Sequence, residues 1–180
     1  MDDLIYNQNR IPKEQWRYGF RSSAATGCGW IATYNALRLM GYSADIEKLI
    51  RWYEWQLPLI HGNLGTNLFG PAIRFRTWGF PVRMYADPRE FDRVAKETDV
   101  CILFYRWHDK WKLGAHFVAL HHTDRGFVGY NTYKNSQGPD FYGESLREFL
   151  KRKKYFTPVL IAIRDKRQKE KAYVSERNDP

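Results

Sequence analysis

Three residues far apart in this chain carry the side chains of thiol catalysis: Cys28 within Gly27-Cys28-Gly29-Trp30, His116 within Gly114-Ala115-His116, and Asn131. A thiol, an imidazole and a carboxamide can serve as nucleophile, base and orienting group of an acyl-transfer site, provided that folding gathers them. Cys28 stands at the expected start of a helix. Unpaired amides and the positive end of the helix dipole favour thiolate over thiol there, and an imidazolium beside it would favour it further. The same amides can hold a developing oxyanion. Gly27 and Gly29 carry no side chain and leave the backbone open to a substrate carbonyl. The other cysteine, Cys101, lies in the apolar run Val100-Cys101-Ile102-Leu103-Phe104-Tyr105 and reads as core.

The elements that must position these groups form a helical first half and a strand-rich second half, the pattern of an α+β domain. Residues 1–25 lack clear periodicity, although Trp16, Tyr18 and Phe20 alternate as in a short extended segment. Capped by Thr26 or Gly27, a helix is expected from Cys28 to Met40, closed by Gly41. It is apolar around most of its circumference, so it reads as a buried central helix. A second helix follows Ser43, with Ile46, Leu49, Ile50, Tyr53 and Leu57 on one face and Pro58 at its end. Residues 61–67 read as loop, and Pro71 opens a third helix that ends near Gly79. Next come a strand at 81–86, a helix at 88–98, a strand at 100–105 and a loop at 106–114. Strands at 115–122 and 127–133 flank a turn, Thr123-Asp124-Arg125-Gly126; a helix at 144–153 and a strand at 155–163 complete the domain. The expected organisation is one domain over 1–164 and a charged tail over 165–180.

The hairpin offers a geometric check, because side chains alternate faces along a strand. With a four-residue turn, Leu120 faces Gly129 and His116 faces Tyr133. His116 and Asn131 then become diagonal neighbours on one face, about 7–8 Å apart at the backbone. A one-residue slip would separate them.

Composition narrows the functions. The 180 residues are 43% hydrophobic, enough for a substantial core, and the acidic start Met1-Asp2-Asp3 is unlike a signal peptide. No apolar stretch approaches the roughly 20 residues of a membrane span, so a soluble, cytoplasmic protein is expected. Two cysteines do not make a disulfide framework. Of the net charge of +9, Lys151-Arg152-Lys153-Lys154 supplies four, residues 164–180 two and the first 150 residues three. The 151–154 run reads as the solvated last turn of a helix; binding an anionic partner is the competing reading. The basic and aromatic stretch Arg106-Trp107-His108-Asp109-Lys110-Trp111-Lys112 could bind single strands, but no nucleic-acid motif accompanies it. Trp107 and Trp111 read instead as walls of a cleft beside Ala115 and His116. His121 and His122 face opposite sides of a strand, and no metal or cofactor is expected.

Gly27-Cys28-Gly29 opening an apolar helix, Gly114-Ala115-His116-Phe117-Val118 opening a strand, and Gly129-Tyr130-Asn131 on the next strand resemble papain-like cysteine peptidases. The resemblance covers about residues 15–164 and is to the bacterial branch that cleaves double-glycine leaders from bacteriocins. That branch has cysteine, then histidine, then Asp or Asn about fifteen positions on; here the separation from His116 to Asn131 is 15. The resemblance implies a papain-like fold and a peptide or protein substrate. It also implies an acyl-thioester on Cys28, proton shuttling by His116 and an imidazole oriented by Asn131. Hydrolysis and acyl transfer would use the same residues. The family places a glutamine six residues before the cysteine to donate to the oxyanion, and Ser22 stands there; Ser22, Ser23 or Gln15 could substitute. Losing such a donor costs about 10²–10³ in rate. A catalytically weak or inactive papain-like domain that binds an anionic partner, nucleic acid or acidic protein, through its basic C-terminal segment is therefore the alternative function.

Overall fold

From Cys28 to Leu37 every residue of one helix is buried, and this helix organises the molecule. The computed structural model describes residues 4–55, 66–109 and 112–167. The N-terminal part contains a 3-10 turn at Gln8–Arg10, strands β1 (Arg17–Tyr18) and β2 (Arg21–Ser22), and a one-turn helix α1 (Ser23–Thr26). Helix α2 (Cys28–Leu39) starts directly after Gly27 and ends where Gly41 turns left-handed at φ 78°, a conformation that a side chain would oppose. Helix α3 (Ile46–Trp55) buries Leu49, Ile50 and Tyr53, three members of the expected apolar stripe. Leu57, Pro58 and residues 61–65 lie outside the described residues. Helix α4 (Gly70–Thr77) has Pro71 in its first turn.

Strand β3 (Val82–Tyr85), helix α5 (Pro88–Lys96), strands β4 (Val100–Asp109), β5 (Lys112–Thr123), β6 (Gly126–Tyr130) and β7 (Asp140–Gly143), helix α6 (Leu146–Arg152) and strand β8 (Phe156–Ile163) follow. Six of these strands form one antiparallel sheet in the order β3-β8-β4-β5-β6-β7. The strict alternation along β4 and β5 explains how one sheet carries two helical layers. Ile102, Phe104, Phe117 and Ala119 pack with Ala32 and Ala36 of α2 and Phe75 of α4. Cys101, Leu103, Val118 and Leu120 pack with Phe91 and Val94 of α5 and Leu146 and Phe149 of α6. Cys101 is thus a core thiol. Among the described residues no helix is long and apolar enough to cross a membrane.

Three features depart from the sequence reading. Residues 106–109 and 112–114 are not a loop: β4 and β5 continue as a hairpin arm, with Trp107 opposite Gly114 and Arg106 opposite Ala115. An arm that projects beyond the core can keep its ladder while its charged side chains point to water, so polarity alone does not end a strand. Strand β6 stops at Tyr130 instead of 133, because Asn131 takes a left-handed conformation (φ 64°). Strand β7 was not expected at all, since four residues are too few to display a period. The hairpin register itself is as expected, Leu120 opposite Gly129, although the turn is shorter. The first residues after the sheet are docked: Tyr42 donates to the Asp165 carboxylate at 2.6 Å, and Arg167 Nη2 donates to the carbonyl of Met40 at 2.5 Å.

Candidate active site

Strand β5 is longer than β6, and the site is built where β6 gives out. His116 lies beyond the last β5–β6 pair, Ala119 with Tyr130. The turn at Asn131 brings that residue's backbone carbonyl to 2.6 Å from His116 Nε2. A carbonyl oxygen can only accept, so Nε2 carries the proton and, in the neutral ring, Nδ1 carries the lone pair. The sequence reading assigned the orienting role to the Asn131 carboxamide; the contact is made by the main chain. The reason is the left-handed backbone, which turns the side chain away toward the N-terminal segment. There the amide is held twice: Asn131 Oδ1 accepts from the Gln8 backbone N–H at 2.8 Å, and Asn131 Nδ2 donates to Gln8 Oε1 at 3.0 Å. Asn131 is only 2% exposed, so these bonds replace water on a buried amide.

Gln8 is the site residue that the sequence did not reveal. Its Nε2 donates to the carbonyl of Ala24 at 3.0 Å, so one side chain ties α1, which leads into Cys28, to the residue whose carbonyl meets His116. Two neighbouring amides secure the same segment. Asn7 Nδ2 donates to the carbonyls of Lys134 (2.8 Å) and Ser136 (3.2 Å), and Asn35 of α2 exchanges bonds with the main chain of Ile5 at 2.9 and 2.8 Å. Nothing in the spacing of residues 1–25 signals this clamp, because every partner except the Ala24 carbonyl is supplied by another part of the chain.

Cys28 sits at the first turn of α2, as expected, with its thiol among the core side chains between α2 and the sheet. Burial pushes the thiol up to about 11, against the smaller opposing effect of N–H groups from Phe117, Gly29 and Cys28 itself. The sulfur therefore meets the peptide that directly follows His116. His116 has the strand parity of Val118 and Leu120, opposite to Phe117, and its ring lies 5.9 Å from that of Tyr105. Burial lowers its basicity and the Asn131 carbonyl acts in the opposite direction, so the ring is neutral at pH 7. A hydrogen bond thus joins His116 to Asn131, whereas the sulfur only lies near main-chain N–H groups; among the described residues no hydrogen bond joins sulfur to ring.

A cleft of about 540 Å³ opens along His116, and Ala24, Trp107, Ala115 and Asn131 contribute to its lining. Trp111 lies outside the described residues. Gly27 and Gly29 do not face open space. A Cβ on Gly27 would come within 2.6 Å of the Ser23 carbonyl oxygen, and one on Gly29 would collide with the Thr66 side chain. Their missing side chains serve packing around Cys28. The expected oxyanion donors are placed elsewhere: Ser22 pairs with Arg17 in the β1–β2 ribbon, the Ser23 hydroxyl accepts from Trp30 Nε1 at 3.1 Å, and Gln15 borders a separate cavity of about 250 Å³. Gln8 borders the main cleft. His121 stacks on Tyr130 at 5.7 Å, and among the described residues no three His, Cys, Asp or Glu side chains converge as metal ligands would.

The architecture has a counterpart among solved structures, the peptidase domain of Streptococcus ComA, a bi-functional ABC transporter involved in a quorum-sensing pathway. The two share 11% identity, with a TM-score of 0.51 over 77% of this chain and 92% of that one. The fold is papain-like. No protein-family model matches the sequence, and comparison with curated proteins gives no match. In this fold Cys28 opens the buried central helix, and His116 lies on the inner strand β5 beyond the end of its pairing with β6.

Proposed function

We propose that this protein is a papain-like cysteine peptidase or amidase, with Cys28 as nucleophile and His116 as the general base and acid. The observation that carries the reading is the bond from His116 Nε2 to the Asn131 carbonyl, which leaves Nδ1 basic beside an open cleft. A papain-like scaffold with the cysteine at its helix mouth supports the same assignment.

A thiol at about 11 is a thiolate in only about one molecule in 10⁴ at pH 7. The proposed reaction therefore begins from neutral thiol and neutral imidazole rather than from a preformed ion pair. As substrate enters, ring and sulfur approach, Nδ1 takes the thiol proton, and the sulfur attacks the scissile carbonyl. The N–H groups of Cys28 and Gly29, which now face the sulfur, are available to the oxyanion. His116 then protonates the leaving amine as the C–N bond breaks. Water, deprotonated by the same nitrogen, releases the acid from the thioester.

The test is a mixed peptide library digested by the wild-type protein and by Cys28→Ala and read by mass spectrometry, with a peptide aldehyde to trap the sulfur. Cleavage and a Cys28 adduct are expected only with the thiol present. Cleavage that survives Cys28→Ala, or no cleavage and no adduct, overturns the reading.

A further inference from the structure

The basic run 151–154 has a second use beyond ending a helix. Lys153 is the C-cap of α6, and both it and Lys134 border the cleft that contains His116. Among the described residues no Asp or Glu borders that cleft and neither lysine pairs with a carboxylate. Both lysines are carried on fixed supports. The Lys134 carbonyl is held by Asn7 Nδ2 at 2.8 Å, and Lys153 Nζ lies 4.8 Å from the centre of the Tyr133 ring. Asp140, which acts electrostatically on Tyr133, accepts the Ser136 hydroxyl at 2.6 Å and does not border the cleft. Trp107 and Tyr155 add aromatic lining, with Tyr155 stacked on Tyr105 at 4.1 Å. A concave surface with two ammonium groups, aromatic lining and no competing acid among the described residues suits a chain segment that is extended and negatively charged.

Resting on the peptidase reading, we propose that the cleft selects peptides carrying a carboxylate, an Asp or Glu side chain within a few residues of the scissile bond. Lys134 and Lys153 meet the carboxylate, and Trp107 and Tyr155 cover the neighbouring apolar groups. The charge that the sequence alone assigns to a solvated helix end thus becomes a selectivity element, with Lys151 and Lys154 left outside the cleft.

The experiment compares two pools of hexapeptides bearing an uncharged fluorophore, one with Glu and one with Gln at the two central positions and both otherwise random. Binding to the full chain carrying Cys28→Ser is followed by fluorescence anisotropy at low and high salt. The Glu pool is expected to bind about tenfold tighter at low salt. The preference should fall to within about twofold for Lys134→Gln/Lys153→Gln or at high salt, and persist in the charge-matched Lys151→Gln/Lys154→Gln. Equal binding of the pools, a preference that survives loss of Lys134 and Lys153, or one equally abolished by the control variant overturns the proposal. Digestion of the Glu pool by the wild-type protein separates the two readings. Selective binding without cleavage leaves the anion-selective cleft standing and removes the peptidase; cleavage without selectivity does the reverse.

Discussion

The backbone carbonyl of Asn131, not its carboxamide, holds His116, with Nε2 and the oxygen 2.6 Å apart. An orienting group made of main chain survives substitution as long as the backbone keeps its path. At Asn131 that path is left-handed, φ 64°, which glycine adopts freely and alanine resists by about 1–2 kcal/mol. Asn131→Gly and Asn131→Ala lose the same bonds to Gln8, so their difference isolates the backbone. The glycine variant should be about 1 kcal/mol more stable in urea titrations and should retain more peptide hydrolysis. Equal stability would contradict the left-handed turn as the controlling feature.

Gln8 touches Asn131 and the α1 carbonyl, and no reacting atom needs to touch Gln8. Gln8→Ala leaves the buried Asn131 Nδ2 without its acceptor, although the backbone N–H of residue 8 still donates to Oδ1, and loosens the turn beside the imidazole. Hydrolysis should fall about tenfold through kcat, with KM little changed. Gln8→Glu keeps the acceptor for Asn131 Nδ2 but not the donor to Ala24, and should fall between. A loss confined to KM would place Gln8 on the substrate instead.

The buried thiol makes a distinct pH signature. Because Cys28 stays protonated up to about 11, its alkylation by iodoacetamide should be slow at pH 7 and rise nearly tenfold per unit between pH 7 and 9. Cys101, also pushed up by burial and only 1% exposed, should react only on unfolding. Enzymatic turnover has a second limit. The His116 conjugate acid is more acidic than an ordinary imidazolium, so protonation of the base should cut kcat/KM only below about pH 6.5. A rate limb centred above pH 7 would contradict the half-buried ring with its lowered basicity.

Two glycines should be sensitive for different reasons. Gly29→Ala forces a methyl group onto the Thr66 side chain beside Cys28, and overpacking of this kind costs about 1–3 kcal/mol. Gly114→Ala pushes instead on the Trp107 ring, a wall of the cleft. Its effect should be a raised KM with a melting temperature near wild type. Thermal unfolding and steady-state kinetics on the two variants distinguish core from cleft.

Local signals account for much of this molecule and fail in identifiable places. Helix α2 was legible because its start, apolar circumference and Gly41 are all encoded within a few residues. The β5–β6 register was legible because Asp124 and Gly126 fix the turn and the two strands alternate around it. The site was legible only as a set of residue types. That Asn131 would act through its carbonyl depended on a backbone conformation that asparagine permits but does not announce. Gln8 was hidden for a stronger reason, since its partners are 16 and 123 positions away and no period connects them.

That separation also dates the completion of the site during synthesis. Asn7 and Gln8 leave the ribosome before their partners at Asn131, Lys134 and Ser136, which follow more than 120 positions later. A nascent chain that has already formed α2 still lacks the imidazole and the carbonyl that aims it. On the proposed function, the thiol of Cys28 is therefore translated long before His116 can activate it.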